Sequence, residues 1–474
     1  MGLTQSYVDP SQNHDRQSTA GRPVPLQKAR KSSVFLRGCT TDEEHKSMKR
    51  MMIEMLKNLN GEEGLVACGL EYRPVTLGED GKLVEDVANE FSETIAEVQL
   101  LQQIPEDPST PIENGENHLD HGEEKKDDKH CDTPSRISKL LSTSLREKEL
   151  ISPSLRKTMS MTRLFHKDSN TMITSTNRKE FIADGAMYDV VCRLATEYSQ
   201  EVMIREGQME WVTIAQDQVV DDSQPTTEPI RALVSSRLVQ DESKLDTEPT
   251  LLIVTGRGRV RAGVFSRQHL LTSGLECSSA VQFVREARTR NMNLMVLDPN
   301  ARGDRVGMTT FETSMAHLFR RWENGETDEH TSCSLERVPQ NLYILSHSQS
   351  GSQFVRHLLN KTECYLPHMG AVAFTDSTHN IQWAKRQNLQ GLENLLESDK
   401  CIYFRRTDGT IEYMLKPFAS VGQAVDTDEF WEHRFGKIKT LCAGTSEHSL
   451  TNWFARVQIW DHFDRFLTAN EMKA

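Results

Sequence analysis

At 474 residues, 36% of them hydrophobic, the chain can bury a large core, as one domain with insertions or as two domains. Its 69 acidic side chains outnumber 56 basic ones, and the formal net charge of -13 argues against an extended surface that neutralises nucleic-acid phosphates. No apolar run approaches the roughly 20 residues that span a bilayer, and the N-terminus lacks the apolar segment of a secretory signal, so a soluble intracellular protein is expected.

The first eight residues, MGLTQSYV, put glycine after the initiator methionine and serine at position six, the MGxxxS pattern of N-myristoylation on Gly2. One myristoyl chain holds a membrane only marginally, and the basic run from Gln27 to Ser33 adds a weak second attraction, so reversible membrane contact is expected. The plainer reading is a disordered tail over residues 1–40. From Asp42 to Asn60, an acidic first turn and apolar residues at Met48, Met51, Met52, Met55 and Leu56 predict a helix. GLEYRPVTLGEDGKLVE then reads as two extended runs about an Asp80-Gly81 turn, making residues 41–104 a helix and a leading hairpin. Residues 105–180 lose apolar periodicity, are acidic and then rich in serine and basic residues, and predict a disordered insertion. His118, His121, His130 and Cys131 lie inside it without metal-ligand spacing, and nothing elsewhere asks for a metal or cofactor. The nine cysteines are dispersed with no CxxC pair, which suits a reducing compartment.

Residues 181–474 are regular. Met187, Val190, Val191, Leu194 and Tyr198 mark one helix face. Apolar runs then alternate with amphipathic segments: LLIVT (251–255), NLMVLDP (293–299), NLYILS (341–346), MGAVAFTD (369–376), CIYFRR (401–406) and KIKTLCAG (437–444). Such alternation predicts an α/β fold, a mostly parallel sheet covered by helices on both faces, with reactive groups at the carboxyl ends of its strands.

Four strand ends carry suitable residues. The first run ends in a glycine-rich loop with Gly256 and Gly258, which reads as an oxyanion loop or as a plain turn. NLYILS runs into HSQSG, placing Ser348 and then Gln349 at a strand-to-helix turn, with Ser346 and Ser350 where GxSxG has glycines. MGAVAFTD supplies Asp376, with His379 three residues on, and the last run is followed by His448. Each has a bland alternative, since Asp and His at strand ends often only cap helices or close turns. The order loop, Ser, Asp, His is that of an α/β-hydrolase triad and predicts an α/β-hydrolase-like fold.

The segments TGRGRVRAGVFSR, VLDPN, SHSQSG, AVAFTDSTHN and CAGTSEHSLTNW, with CGLEYRPVTLGEDGKL upstream, resemble in this order the argonaute-binding protein two (Arb-two) domain family. The resemblance covers residues 60–100 and 180–474 and implies an α/β-hydrolase-like domain with Ser348, Asp376 and His448 at the triad positions and Gly256, Gly258 and Gln349 at the oxyanion positions. Two residues depart from the family pattern: Thr255 replaces the histidine that opens the loop, and Ser350, expected to crowd the elbow, replaces a glycine. His379 is the alternative base, and Asp408 and Asp426 are alternative acids, Asp408 reading better as a hairpin turn. The expected geometry places His448 within reach of Ser348, and Asp376 at its other ring nitrogen. Two functions are open: a serine hydrolase for an ester, thioester or amide, or an interaction scaffold. For the scaffold the resemblance implies argonaute, chromatin or splicing partners and a nuclear rather than cytoplasmic or membrane-associated location.

Overall fold

A computed structural model of the protein describes residues 42–77, 159–215, 229–319, 338–406 and 421–471. The tail with Gly2, the turn at Asp80, His118, His121, His130 and Cys131, and Asp408 lie outside them.

The main sheet has eight strands: β4 (Met209–Ala215), β5 (Ile230–Ser235), β6 (Thr250–Val254), β7 (Asn293–Leu297), β8 (Leu342–His347), β9 (Met369–Thr375), β10 (Cys401–Arg405) and β11 (Lys439–Cys442). Across the sheet they run β4-β5-β7-β6-β8-β9-β10-β11. β5 is antiparallel to both neighbours, and every other pair is parallel. Numbered from β4, the order is first, second, fourth, third, then fifth to eighth, the arrangement of an α/β hydrolase. All six apolar runs read from the sequence are strands. β6, β7, β8 and β9 are buried along their whole length, because helices cover both faces.

The strand period of two divides the core. Leu251 and Ile253 of β6 face one apolar cluster, with Phe283, Trp460 and Phe463, while Leu252 and Val254 face the other, with Phe311, Phe354 and Phe374. Each fully buried side chain of this size contributes about 1.5–3 kcal/mol relative to exposure. The helix Ala186–Gly207 carries the predicted face, with Val191 and Leu194 buried. No helix among the described residues is long and apolar enough to cross a membrane.

Two boundaries differ from those the sequence predicts. The first helix ends at Leu56, and Asn60 instead caps the helix Gly61–Ala67, its side chain accepting from Glu63 N–H at 3.1 Å. Leu56 is buried and Met52 packs against the core, but Met51 and Met55 are exposed. Within the span read as disordered, residues 159–180 are ordered. β2 (Met159–His166) pairs antiparallel with β1 (Leu70–Leu77), from Leu70 opposite His166 to Leu77 opposite Met159, and β3 (Thr171–Met172) completes a second sheet. The serine and arginine of MSMTRLFH look like linker, yet Arg163 is buried and donates to Thr272 O at 2.7 Å. Cys192, Cys277, Cys401 and Cys442 are buried free thiols.

Glu276 fastens the small sheet to the main body. Its buried carboxylate accepts from Thr162 N–H at 2.7 Å and Thr162 Oγ1 at 2.8 Å, and pairs with Arg285 at 3.0 Å. Arg285 keeps a second partner in Glu206. Removing the carboxylate in Glu276→Ala should therefore cost about 2 kcal/mol, less than the ~3–5 kcal/mol of breaking an isolated buried pair. Urea unfolding measures this, and an unchanged midpoint would rule out the fastening role.

His379 belongs to the core rather than to the site. It is fully buried, stacked on Phe374 at 4.1 Å and edge-on to Phe435 at 5.1 Å, with Nδ1 on Ser377 Oγ at 2.9 Å. Burial, assisted by the Arg434 charge, lowers its pKa from 6.5 to about 3. Between those values the unfolded chain binds the proton and the folded chain does not, so stability is lost as pH falls from 6.5 toward 3. At pH 5 the expected loss from this one ring is about 2 kcal/mol. His379→Leu should flatten the fall in unfolding midpoint between pH 7 and pH 5; an unaltered pH slope would contradict it.

Candidate active site

The parallel strands bring the carboxyl ends of β6, β8, β9 and β11 to one edge of the sheet. β8 passes directly into the helix Gln349–Tyr365, and Ser348 is the single residue between them, at φ 58° and ψ -124°. A side-chain-bearing residue held there costs about 1–3 kcal/mol, so its surroundings must over-determine it. They do: Ser348 N–H donates to Thr375 O at 2.9 Å, and Ser348 O accepts from Thr378 N–H at 3.1 Å and Gly351 N–H at 3.3 Å.

Close approach explains two glycines. A Cβ on Gly256 would lie 2.8 Å from the Ser348 Cβ, and one on Gly351 would lie 1.8 Å from Ser377 Oγ. Gly351 is thus the residue that must be small, one position beyond Ser350. Ser350 does not crowd the turn. Its buried hydroxyl lies 2.8 Å from His347 O, 2.9 Å from Val254 O and 2.8 Å from Ser346 Oγ, linking β6, β8 and the helix.

The loop after β6 is held from β7. Asn300 Nδ2 donates to Gly256 O at 2.8 Å and Val260 O at 3.0 Å. Thr255 is fully buried and its hydroxyl has no hydrogen-bond partner among the described residues, whereas Asn300 holds the loop through two carbonyls. Gly258 sits at φ 130° with open space around its Cα. Gln349 opens the helix, and its N–H has no intrahelical acceptor.

Asp376 and His448 meet although 72 residues separate them: His448 Nδ1–H donates to Asp376 Oδ2. The same oxygen takes Arg406 Nε at 3.3 Å, and Asp376 N–H donates to Phe404 O at 2.8 Å, so both the side chain and the backbone of the acid are fixed. The expected contact of Asp376 with His448 is present, and no hydrogen bond joins Ser348 to His448 among the described residues. Asp426 is exposed and makes no hydrogen bond to His448.

His347 escaped the sequence reading. Its ring packs 4.7 Å from that of His448, its Nδ1 lies 3.2 Å from Thr375 Oγ1, and Phe265 stands edge-on at 5.5 Å. Burial, and then the charge of His448, hold its pKa well below the ordinary histidine range, so it backs His448 as a neutral ring. Its signal was its place inside the buried run before Ser348. Arg406 likewise stands at the end of an apolar strand, where a charge needs a reason. Among the described residues no group of three His, Cys, Asp or Glu is placed to hold a metal. The two cavities described, of about 330 and 640 Å³, are not lined by Ser348, Asp376 or His448.

A family model described as the Arb2 domain matches residues 238–392, from before β6 to beyond β9. The cotranscriptional regulator ARB2A of Mus musculus is 22% identical over 334 residues, 60% of this chain and 72% of the relative. Its Homo sapiens counterpart is 21% identical over 332 residues, with the same coverage. Among solved structures, the esterase LipW from Mycobacterium marinum is 9% identical and covers 63% of this chain and 93% of its own, at a TM-score of 0.28. A bacterial membrane phospholipase A is 11% identical and covers 58% and 69%, at a TM-score of 0.20. Overlaps that small add nothing to the strand order, which alone carries the fold. Residues 238–392 match the Arb2 domain family, within a chain of α/β-hydrolase fold.

Proposed function

We propose that this chain is a serine hydrolase acting on an ester, thioester or amide, with Ser348 as nucleophile, His448 as base and Asp376 as the residue that orients it. The observation that carries the reading is the His448–Asp376 hydrogen bond, made between two separate strand ends at the edge where Ser348 is held at positive φ. With Nδ1–H committed to the carboxylate, Nε2 keeps its lone pair for the Ser348 proton. Attack on the substrate carbonyl forms a tetrahedral oxyanion, for which the Gln349 N–H and the loop at Gly256 are assigned as donors. Collapse expels the leaving group with the proton from His448, and water activated by the same imidazole then releases the acyl group. The missing Ser348–His448 hydrogen bond is compatible with this course, since such contacts often tighten only with substrate bound.

A second reading rests on the relatives' printed names. Proteins called cotranscriptional regulators suggest that the fold serves here as a nuclear interaction module, the argonaute, chromatin or splicing partners being what the family resemblance implies, and fold alone does not choose between the readings. A fluorophosphonate probe separates them. The wild type should be labelled, Ser348→Ala should not, and Asp376→Asn should slow labelling by about three to four orders of magnitude. A folded wild type that stays unlabelled would sink the hydrolase and leave the scaffold.

Acyl lipids and acylated proteins are the first substrates to test, because Gly2 acylation would bring the site to membranes. Mass spectrometry of the N-terminal peptide from cells should find a C14 acyl group on Gly2; retained Met1 or an unmodified glycine would remove the membrane route.

A further inference from the structure

A cavity of about 330 Å³ lies on the β4–β7 side of the same sheet edge, between the helix Ala186–Gly207 and the loop after β6. Five guanidinium groups line it, those of Arg193, Arg231, Arg259, Arg261 and Arg267. On a chain with a net charge of -13 this is a local reversal of sign.

Among the described residues, their carboxylate partners are fewer than they are. Arg193 is committed to structure: it binds Glu197 through both carboxylate oxygens at 2.6 and 2.7 Å and donates to Leu56 O at 2.6 Å. Arg261 is held by the buried carboxylate of Asp298 at 2.7 Å. Arg259 and Arg267 share one oxygen of Asp189, at 3.4 and 2.8 Å. Arg231 stacks on Trp211 at 4.9 Å and has no carboxylate partner among the described residues. Among the described residues, these five cations meet three carboxylates, those of Glu197, Asp298 and Asp189. The side chain of Arg259 is 78% exposed and can turn inward.

We propose that this cavity binds a phosphate-bearing anion, a phosphomonoester or short polyphosphate, gripped by Arg231, Arg259 and Arg267 over a floor of Trp211 and Pro229. Several guanidinium groups converging on one cavity suit a ligand with more than one negative charge, and guanidinium forks match phosphate oxygens in pairs. The volume suits a small molecule and excludes a folded domain or a nucleic-acid duplex. Ser348, Asp376 and His448 do not line the cavity, so the site stands whether or not the hydrolase reading does. The two are nonetheless neighbours along one loop, since Arg259 and Arg261 follow Gly256, which abuts Ser348.

The phosphate could be free or carried by a lipid headgroup, and titration calorimetry of the full chain with inorganic tripolyphosphate, followed by vesicle sedimentation, distinguishes them. Wild type should bind tripolyphosphate saturably, and R231Q/R259Q should bind at least about tenfold more weakly with an unchanged thermal midpoint. If the double variant fails to fold, R259Q alone, at an exposed side chain, should still weaken binding. Binding to vesicles containing phosphatidylinositol 4,5-bisphosphate but not to soluble inositol trisphosphate assigns the headgroup; equal binding to both assigns a soluble ligand. Absence of saturable binding in both arms, or equal binding by wild type and variants, overturns the proposal.

Discussion

The site depends on one backbone constraint, the left-handed φ of Ser348. β8 must hand its chain to a helix within one residue, and only a sharp reversal turns the serine outward while the strand before it stays buried. A serine pays for that conformation only because three hydrogen bonds and two glycines leave it no relaxed alternative. Much of the neighbouring sequence follows from this. Gly256 is small because the turn presses on it, Gly351 because Ser377 does, and Ser350 is tolerated because its hydroxyl finds acceptors in the carbonyls of Val254 and His347.

The acid is held in the same way. Asp376 also has positive φ, and its amide donates to β10, so its carboxylate is aimed by backbone on one side and by His448 and Arg406 on the other. An acid after the sixth strand rather than the seventh therefore does not require a different architecture. It requires that the chain after β11 return far enough for His448 to reach across β10, which the short helical turn from His448 to Leu450 provides.

What could be read in advance divides along a physical line. Strands buried on both faces announce themselves as continuous apolar runs, which is why β6 to β11 were legible. β4 and β5 were not, because Glu210, Thr213 and Arg231 interrupt them near the sheet's edge. β2 was hidden more deeply, since Arg163 reads as linker until Thr272 O is seen to accept from it. Chain order and family resemblance pointed to Ser348, Asp376 and His448. Asn300 and the arginine cavity were invisible, because their roles come from contacts between segments far apart in sequence, and His347 had only its place in a buried run to mark it.

The departures Thr255 and Ser350 seemed to bear on whether the elbow could work, and they bear on it unequally. Ser350 is absorbed: its hydroxyl replaces the space a glycine would leave with hydrogen bonds to main-chain carbonyls, so the turn keeps its shape. Thr255 is not absorbed, for its buried hydroxyl has no partner among the described residues. An unpaired buried hydroxyl costs about 1–3 kcal/mol, and it stands next to Gly256, whose carbonyl Asn300 already holds. The loop is thus ordered from outside and under-satisfied within. Whatever binds beside Ser348 meets a fixed serine and a fixed acid–histidine pair, and any adjustment falls on the loop that joins them to the arginine cavity.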